Sequence, residues 1–245
     1  MKRNFADLHL RPNLNDMVHT QRMIMKAAEL GYRLIAVPLP PGSAENYRAQ
    51  LQSLCKEAAI DFASRLDLKP KTARELINFL RKFRRRFEII AVASESKSVA
   101  RQAAKDHRVD LLNFPTADFR RRFFDEAEAK LASKSSACIE IDIKPLLTLE
   151  GTARIKLLSI LRRETTIAHR FHVPIVVSSG ATDELTMRKP LETAALTMLF
   201  DMDRTSAIEA VSKNPVAIVK RNREKLRPEF VAPGIRIIRR GKDCP

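Results

Sequence analysis

Residues 60–93 read IDFASRLDLKPKTARELINFLRKFRRRFEIIAVA, and this stretch decides the fold. Its two ends, Ile60–Leu66 and Phe87–Ala93, are short and largely apolar, as strands buried on both faces of a parallel sheet are. Between them a helix has a readable start. Thr72-Ala73-Arg74-Glu75 fits a capping box, in which the hydroxyl accepts from a free backbone N–H and Glu75 reaches back to the cap. Leu76, Leu80 and Phe83 then form one apolar stripe, leaving Arg74, Arg81, Lys82 and Arg85 for other faces. The stretch reads as strand, helix, strand, the unit of a parallel sheet.

The same rhythm runs outward in both directions. Phe5–Leu10, Arg33–Val37, Val109–Phe114, Ala137–Ile143, Val173–Ser178 and Val216–Val219 bring the strand-like runs to eight. Ile155, Leu158, Ile167 and Phe171 stripe a helix after Gly151. Pro190 suits a first helical position, with Leu191, Ala194, Ala195, Met198 and Leu199 continuing it. Eight such runs alternating with helices, about 25–30 residues apart, predict an α/β fold of the (β/α) barrel type. An open doubly wound sheet is the alternative, because periodicity does not reveal closure. With six glycines and no Ser/Pro-rich tract there is no internal linker. Residues 1–230 read as a single barrel domain and 231–245 as a basic carboxyl-terminal tail.

Charge narrows the partner. The 245 residues carry 45 Lys+Arg against 29 Asp+Glu, a formal charge of +16. Nucleic acid is the commonest neutralising partner of such a surplus, and anionic membrane the next. The cations cluster: Arg81, Lys82, Arg84, Arg85, Arg86; Arg120, Arg121, Arg122; Arg162, Arg163; Lys220, Arg221, Arg223, Lys225, Arg227; and Arg236, Arg239, Arg240, Lys242 in the tail. Arginine dominates several, and its planar fork grips phosphate with two bonds. Phe83, Phe119, Phe123 and Phe124 interleave with them at spacings typical of core. No apolar run is long enough to span a bilayer, and the first seven residues hold no signal-peptide core. Cys55, Cys138 and Cys244 are odd in number and lack CxxC spacing, which points to a reducing, intracellular setting without a zinc site.

In such barrels functional groups sit at the carboxyl ends of strands. Asp7 and His9 end the first run, and Asp67 and Asp142 end later ones. A metal-dependent phosphoesterase built on these four is a rival reading. Its second histidine, in an HxH pattern, would fall at Arg11, a cation where a ligand belongs, and His19, His107, His169 and His172 read as helical. No metal site is expected, and Asp7 and His9 then serve as a polar cluster closing the barrel mouth. Ser178-Ser179-Gly180 lacks the first glycine of a nucleophile elbow. Ser179 and Gly180 could instead hold a phosphate oxygen, with Arg188 and Lys189 close ahead of the next helix. That arrangement also allows a barrel enzyme for a small anionic metabolite. No phosphate-loop signature occurs, so no nucleotide cofactor is indicated.

From Ser178 to Arg223 the residues follow a known family. Ser179-Gly180-Ala181, Arg188-Lys189-Pro190-Leu191, Ala194-Ala195-Leu196, Val211-Ser212-Lys213-Asn214-Pro215 and Ile218-Val219-Lys220-Arg221-Asn222-Arg223 carry the likeness, and Phe5-Ala6-Asp7-Leu8-His9 fits the family's opening strand. The chain resembles ribonuclease P protein component 3, the barrel-type subunit of archaeal and eukaryotic ribonuclease P. One departure stands out: the resemblance implies a glycine, usual in the family, before the methionine of Asp201-Met202. The resemblance implies a distorted TIM-like barrel, related to metal-dependent phosphoesterase barrels but without an intact metal site. It also implies a non-catalytic subunit of the ribonucleoprotein that removes the 5′ leader from precursor tRNA. Ribonuclease P RNA, precursor tRNA and ribonuclease P protein component 2 are the expected partners. Mg²⁺ is expected to act through the RNA, and the cytoplasm of an archaeal cell is the expected location. Arg84, Arg85, Arg86, Arg188, Lys220, Arg221, Arg223, Lys225 and Arg227 are the expected RNA-binding residues.

Overall fold

A computed structural model describes residues 3–114, 122–232 and 235–237. Arg120, Arg121, Phe119, Arg239, Arg240, Lys242 and Cys244 lie outside the described residues. Strands β1 (Ala6–Asp7), β2 (Leu34–Pro38), β3 (Asp61–Leu68), β4 (Ile89–Ala93), β5 (Leu111–Asn113), β6 (Cys138–Asp142) and β7 (Ile175–Ser178) pair in chain order, all parallel. Helices α1 (Met17–Leu30), α2 (Ala44–Glu57), α3 (Ala73–Phe83), α4 (Lys97–Lys105), α5 (Glu126–Ser135), α6 (Lys144–Thr148) and α7 (Gly151–Arg170) provide the crossovers. Then follow α8 (Pro190–Thr197), α9 (Arg204–Ala210) and α10 (Lys213–Leu226). Between β1 and β7 the ring is nearly closed: Arg11 N donates to Ala181 O at 2.8 Å and Ser179 N to Asp7 Oδ1 at 3.0 Å. The result is a distorted, TIM-like (β/α) barrel of seven strands.

Local signals place the helices. Thr72 Oγ1 accepts from Glu75 N at 3.1 Å, while Glu75 reaches one residue further back, to Lys71 N at 2.6 Å. Pro190 opens α8, where a missing N–H costs nothing. In α7 the buried face is Leu157, Leu161, Glu164, Thr165 and Ala168, so the expected stripe is rotated and Ile155 faces solvent. Glu164 is turned inward by Arg122, whose guanidinium donates to both its carboxylate oxygens. Arg122 is therefore a buried structural cation.

Val216–Val219 is not a strand. It lies inside α10, where Pro215, Ile218, Val219 and Asn222 recur at helical spacing as the buried face. A four-residue apolar run does not by itself distinguish strand from helix, and here Pro215 falls in the first turn, where a helix tolerates it. Ile218 and Val219 pack among Ala6, Leu34, Ala63 and Ile89, residues near the amino ends of the strands. The segment thus plugs the floor of a seven-stranded barrel instead of completing an eight-stranded one. The expected tail also carries structure: Phe230–Ala232 (β8) and Ile235–Arg236 (β9) pair antiparallel.

Candidate functional site

Strand side chains alternate between faces, so one inward row can be followed from floor to mouth. In β3 that row is Ala63, Arg65, Asp67, and in β6 it is Cys138, Glu140, Asp142. β5 adds Leu111 then Asn113, and β7 adds Val176 then Ser178. Each of these four rows begins apolar and ends polar. The floor is a hydrophobic plug and the mouth is filled with charge.

At the centre of the mouth lies Arg65, with no exposed surface. Its Nε donates to Asp67 Oδ1 at 2.6 Å, Nη1 and Nη2 donate to the two oxygens of Glu140 at 2.6 Å each, and Nη1 also reaches Leu8 O at 2.7 Å. Ser178 Oγ and Asn113 Nδ2 donate to the remaining faces of Glu140 at 2.8 and 2.9 Å. His9 is set between two more acceptors, with Nδ1 2.8 Å from Asp142 Oδ1 and Nε2 3.1 Å from Asp67 Oδ2. Both nitrogens face carboxylates, so both carry protons. Burial and the Arg65 cation oppose that charge, but Asp142 and Asp67 outweigh them and push His9 up to about 10. Asp67 is only partly exposed, and against the cost of that desolvation Arg65 and His9 hold its carboxyl well below the usual range.

Asp7 stands at the seam between β1 and β7. Its Oδ1 accepts from His9 N at 3.1 Å and Ser179 N at 3.0 Å, Oδ2 has no hydrogen-bond partner among the described residues, and burial raises its pKa. The expected polar cluster at the mouth is present, and it holds more than Asp7 and His9. Arg65 and Glu140 are the residues that sequence reasoning missed. Their signal was a pair of charged residues two apart in a largely apolar strand, Arg65 with Asp67 and Glu140 with Asp142.

Ser179 and Gly180 have a different use from the expected phosphate loop. The Ser179 amide is taken by Asp7, and Ser179 Oγ accepts from Ala181 N at 3.1 Å. Gly180 has φ +61° and packs against Asp142, which an added Cβ would meet at 3.0 Å. An anion here would face two carboxylates. Arg188 turns its guanidinium onto Leu185 O and Met187 O, at 2.8 and 2.7 Å.

A metal at this mouth fails on the chemistry of the donors. His9, Glu140 and Asp142 bring donor atoms within 4.8 Å of one another. A histidine ligand must be unprotonated, whereas both nitrogens of His9 donate to carboxylates. Arg65 occupies both oxygens of Glu140. Arg11, at the second histidine position of the rival reading, is exposed on the rim. The residues present do not fit a divalent ion.

The opposite, amino-terminal face is basic, and the structure divides its cations into two sets. Arg84 and Arg221 both bind Asp110, at 2.6 and 3.1 Å. Arg223 binds Asp61 and Glu88, each at 2.6 Å. Between them Asn222 Nδ2 donates to Glu88 O and Asp110 Oδ1 at 2.8 Å each. Arg221 and Arg223 lash α10 to the floor, and Arg84, at the end of α3, shares Asp110 with Arg221. Arg85, Arg86, Lys220, Lys225 and Arg227 are exposed, and none has an ion-pair partner among the described residues. Burial and neighbouring Arg221 lower the Lys225 pKa. A groove of about 600 Å³ opens beside Arg85 and Arg86, with Lys56 on its wall.

Fold and site together define a (β/α) barrel whose usual catalytic mouth is crossed by its own ion pairs and whose amino-terminal face carries exposed cations without ion-pair partners among the described residues. The model of the RNase P subunit p30 family matches residues 4–227, and the chain belongs to that family, a protein subunit of ribonuclease P. It is 33% identical over 176 residues to ribonuclease P protein component 3 of Methanosarcina barkeri, covering 72% of each chain. A chain of the cryo-EM structure of archaeal ribonuclease P with mature tRNA superposes with a TM-score of 0.84 at 22% identity, covering 97% of this chain and 100% of that one. The barrel alone is shared with histidinol phosphate phosphatase of Lactococcus lactis, a structure holding zinc, at a TM-score of 0.50 and 10% identity over 89% of this chain and 94% of that one. Among the described residues no helix is long and apolar enough to cross a membrane.

Proposed function

We propose that this chain serves ribonuclease P as an RNA-binding subunit that supports the catalytic RNA and carries none of the chemistry itself. The observation that carries this reading is the set of exposed cations on the amino-terminal face that have no ion-pair partner among the described residues: Arg85, Arg86, Lys220, Lys225 and Arg227. They neutralise backbone phosphates of ribonuclease P RNA, and so help it hold its fold and the Mg²⁺ that acts through it. Removal of the 5′ leader from precursor tRNA is the reaction served. Ribonuclease P protein component 2 is the protein partner, and the complex works in the cytoplasm.

The test separates the two sets of cations. Arg85→Ala, Arg86→Ala, Lys220→Ala and Lys225→Ala together leave the internal ion pairs intact. They are expected to flatten the salt dependence of RNA binding, by a slope of roughly 0.7–0.9 per lost phosphate contact. Reconstituted cleavage of precursor tRNA falls at raised salt or lowered Mg²⁺. Arg223→Ala is expected to lower stability and leave that slope unchanged. A quadruple variant with wild-type salt dependence overturns the assignment of this face.

A further inference from the structure

The charge-filled mouth does more than lack a metal. Its acceptors converge on Arg65 as they would on an ion. Glu140 gives both oxygens, Asp67 gives one, and Leu8 gives a carbonyl, all between 2.6 and 2.7 Å. Asp67 and Asp142 then share His9 through their other contacts, at 3.1 and 2.8 Å. Three carboxylates thus surround two single cations, the guanidinium of Arg65 and the imidazolium of His9. A divalent ion bound by a neutral His9 carries the same total charge.

We propose that Arg65 is the resident cation of this barrel, holding the place of a divalent ion, and that its removal turns His9, Glu140 and Asp142, whose donor atoms lie within 4.8 Å of one another, into a metal-binding site. Three observations support this. Truncating Arg65 leaves buried carboxylates without their counter-charge, a state that is strongly unfavourable until another cation arrives. The donor set that remains is one imidazole with carboxylates, which suits Zn²⁺ or Mn²⁺. An entry path exists, because Arg65, His9, Asp67, Glu140 and Asp142 all line one open cavity of about 450 Å³. The inference concerns the opposite end of the barrel from the proposed RNA face and stands independently of it.

The experiment compares the full-length wild type, Arg65→Ala and the double variant Arg65→Ala/His9→Ala. Each is melted with and without ZnCl₂ or MnCl₂, and bound metal is counted after equilibrium dialysis. Arg65→Ala is expected to bind about one ion per chain, the stoichiometry of a single closed site. At roughly a hundredfold excess over Kd its Tm should rise by about 5–10 °C. Where Arg65→Ala does not fold alone, the same ions should restore its fold. Wild type and the double variant should show neither stoichiometric binding nor the shift. The proposal is overturned if Arg65→Ala, folded or unfolded, ignores both metals. It is equally overturned if wild type or the double variant binds them as tightly as Arg65→Ala.

Discussion

Arg65 and Glu140 face each other through two parallel hydrogen bonds of 2.6 Å, and neither side chain is exposed. A buried pair of this kind is costly to break from one side, because the surviving charge has lost its partner in a medium that solvates it poorly. Glu140→Leu or Arg65→Met alone should each cost about 3–5 kcal/mol. Arg65→Met/Glu140→Leu should cost less than the sum of the two by about 1–3 kcal/mol, since it removes both charges together. Urea unfolding of the four proteins measures the cycle. Additive costs would mean that the two side chains act separately.

The sequence makes the barrel legible because its strand runs and helix caps are local signals. Ile60–Leu66 and Phe87–Ala93 fall on β3 and β4, and Thr72 and Pro190 mark the starts of α3 and α8. Val216–Val219 fails as a strand because four apolar residues fit either period, and only the packing of Ile218 and Val219 against the floor decides. The site is less legible for a different reason. Arg84 and Lys220 are alike as letters in basic runs, but Asp110, distant in sequence from both, claims one of them. No local pattern reveals which cation will meet an acid across the fold. Arg65 and Glu140 were hidden in apolar strand runs, where only the two-residue alternation places them in the barrel interior.

Glu128 gives the chain a pH dependence of predictable sign. It is fully buried, and among the described residues neither carboxylate oxygen has a hydrogen-bond partner and the cation paired with it, Arg101 Nη1, is 3.8 Å away. Burial pushes its carboxyl up to about 8 from an ordinary 4.5; Arg101 pulls the other way, and Asp125 and Glu164 reinforce the rise. A raised carboxyl means that the folded state holds the proton more tightly than the unfolded one. Its contribution is fully present below about pH 4.5 and is lost as pH climbs through 8. Glu128→Gln keeps the shape and removes the ionisation. Relative to wild type it should gain stability between pH 5 and 9, by on the order of a few kcal/mol at the upper end. Urea midpoints of both proteins at pH 5, 7 and 9 test this, and parallel profiles would remove Glu128 as the source.

The resemblance implies a glycine where this chain has Asp201, and the backbone here is of the kind that favours glycine. Asp201 caps the short 3₁₀ turn Met198–Phe200 with φ +65° and ψ 26°, the left-handed region. An ordinary side chain there costs about 1–2 kcal/mol, and aspartate is among the residues that tolerate it best. The aspartate has a compensation of its own, since Arg162 Nε lies 2.6 Å from Oδ2. Both side chains are more than half exposed, at 54% and 59%, so the pair is worth no more than about 1 kcal/mol and is weakened by salt. Two opposing effects therefore meet at one residue, and ionic strength separates them. Asp201→Gly should raise stability by about 0.5–1 kcal/mol in 1 M NaCl and by less in dilute buffer. Asp201→Ala keeps the strained Cβ and loses the ion pair, so it should be the least stable of the three at low salt. Denaturation midpoints at both salt concentrations give the order directly. An alanine variant as stable as the glycine variant would show that the left-handed backbone carries no cost at this position.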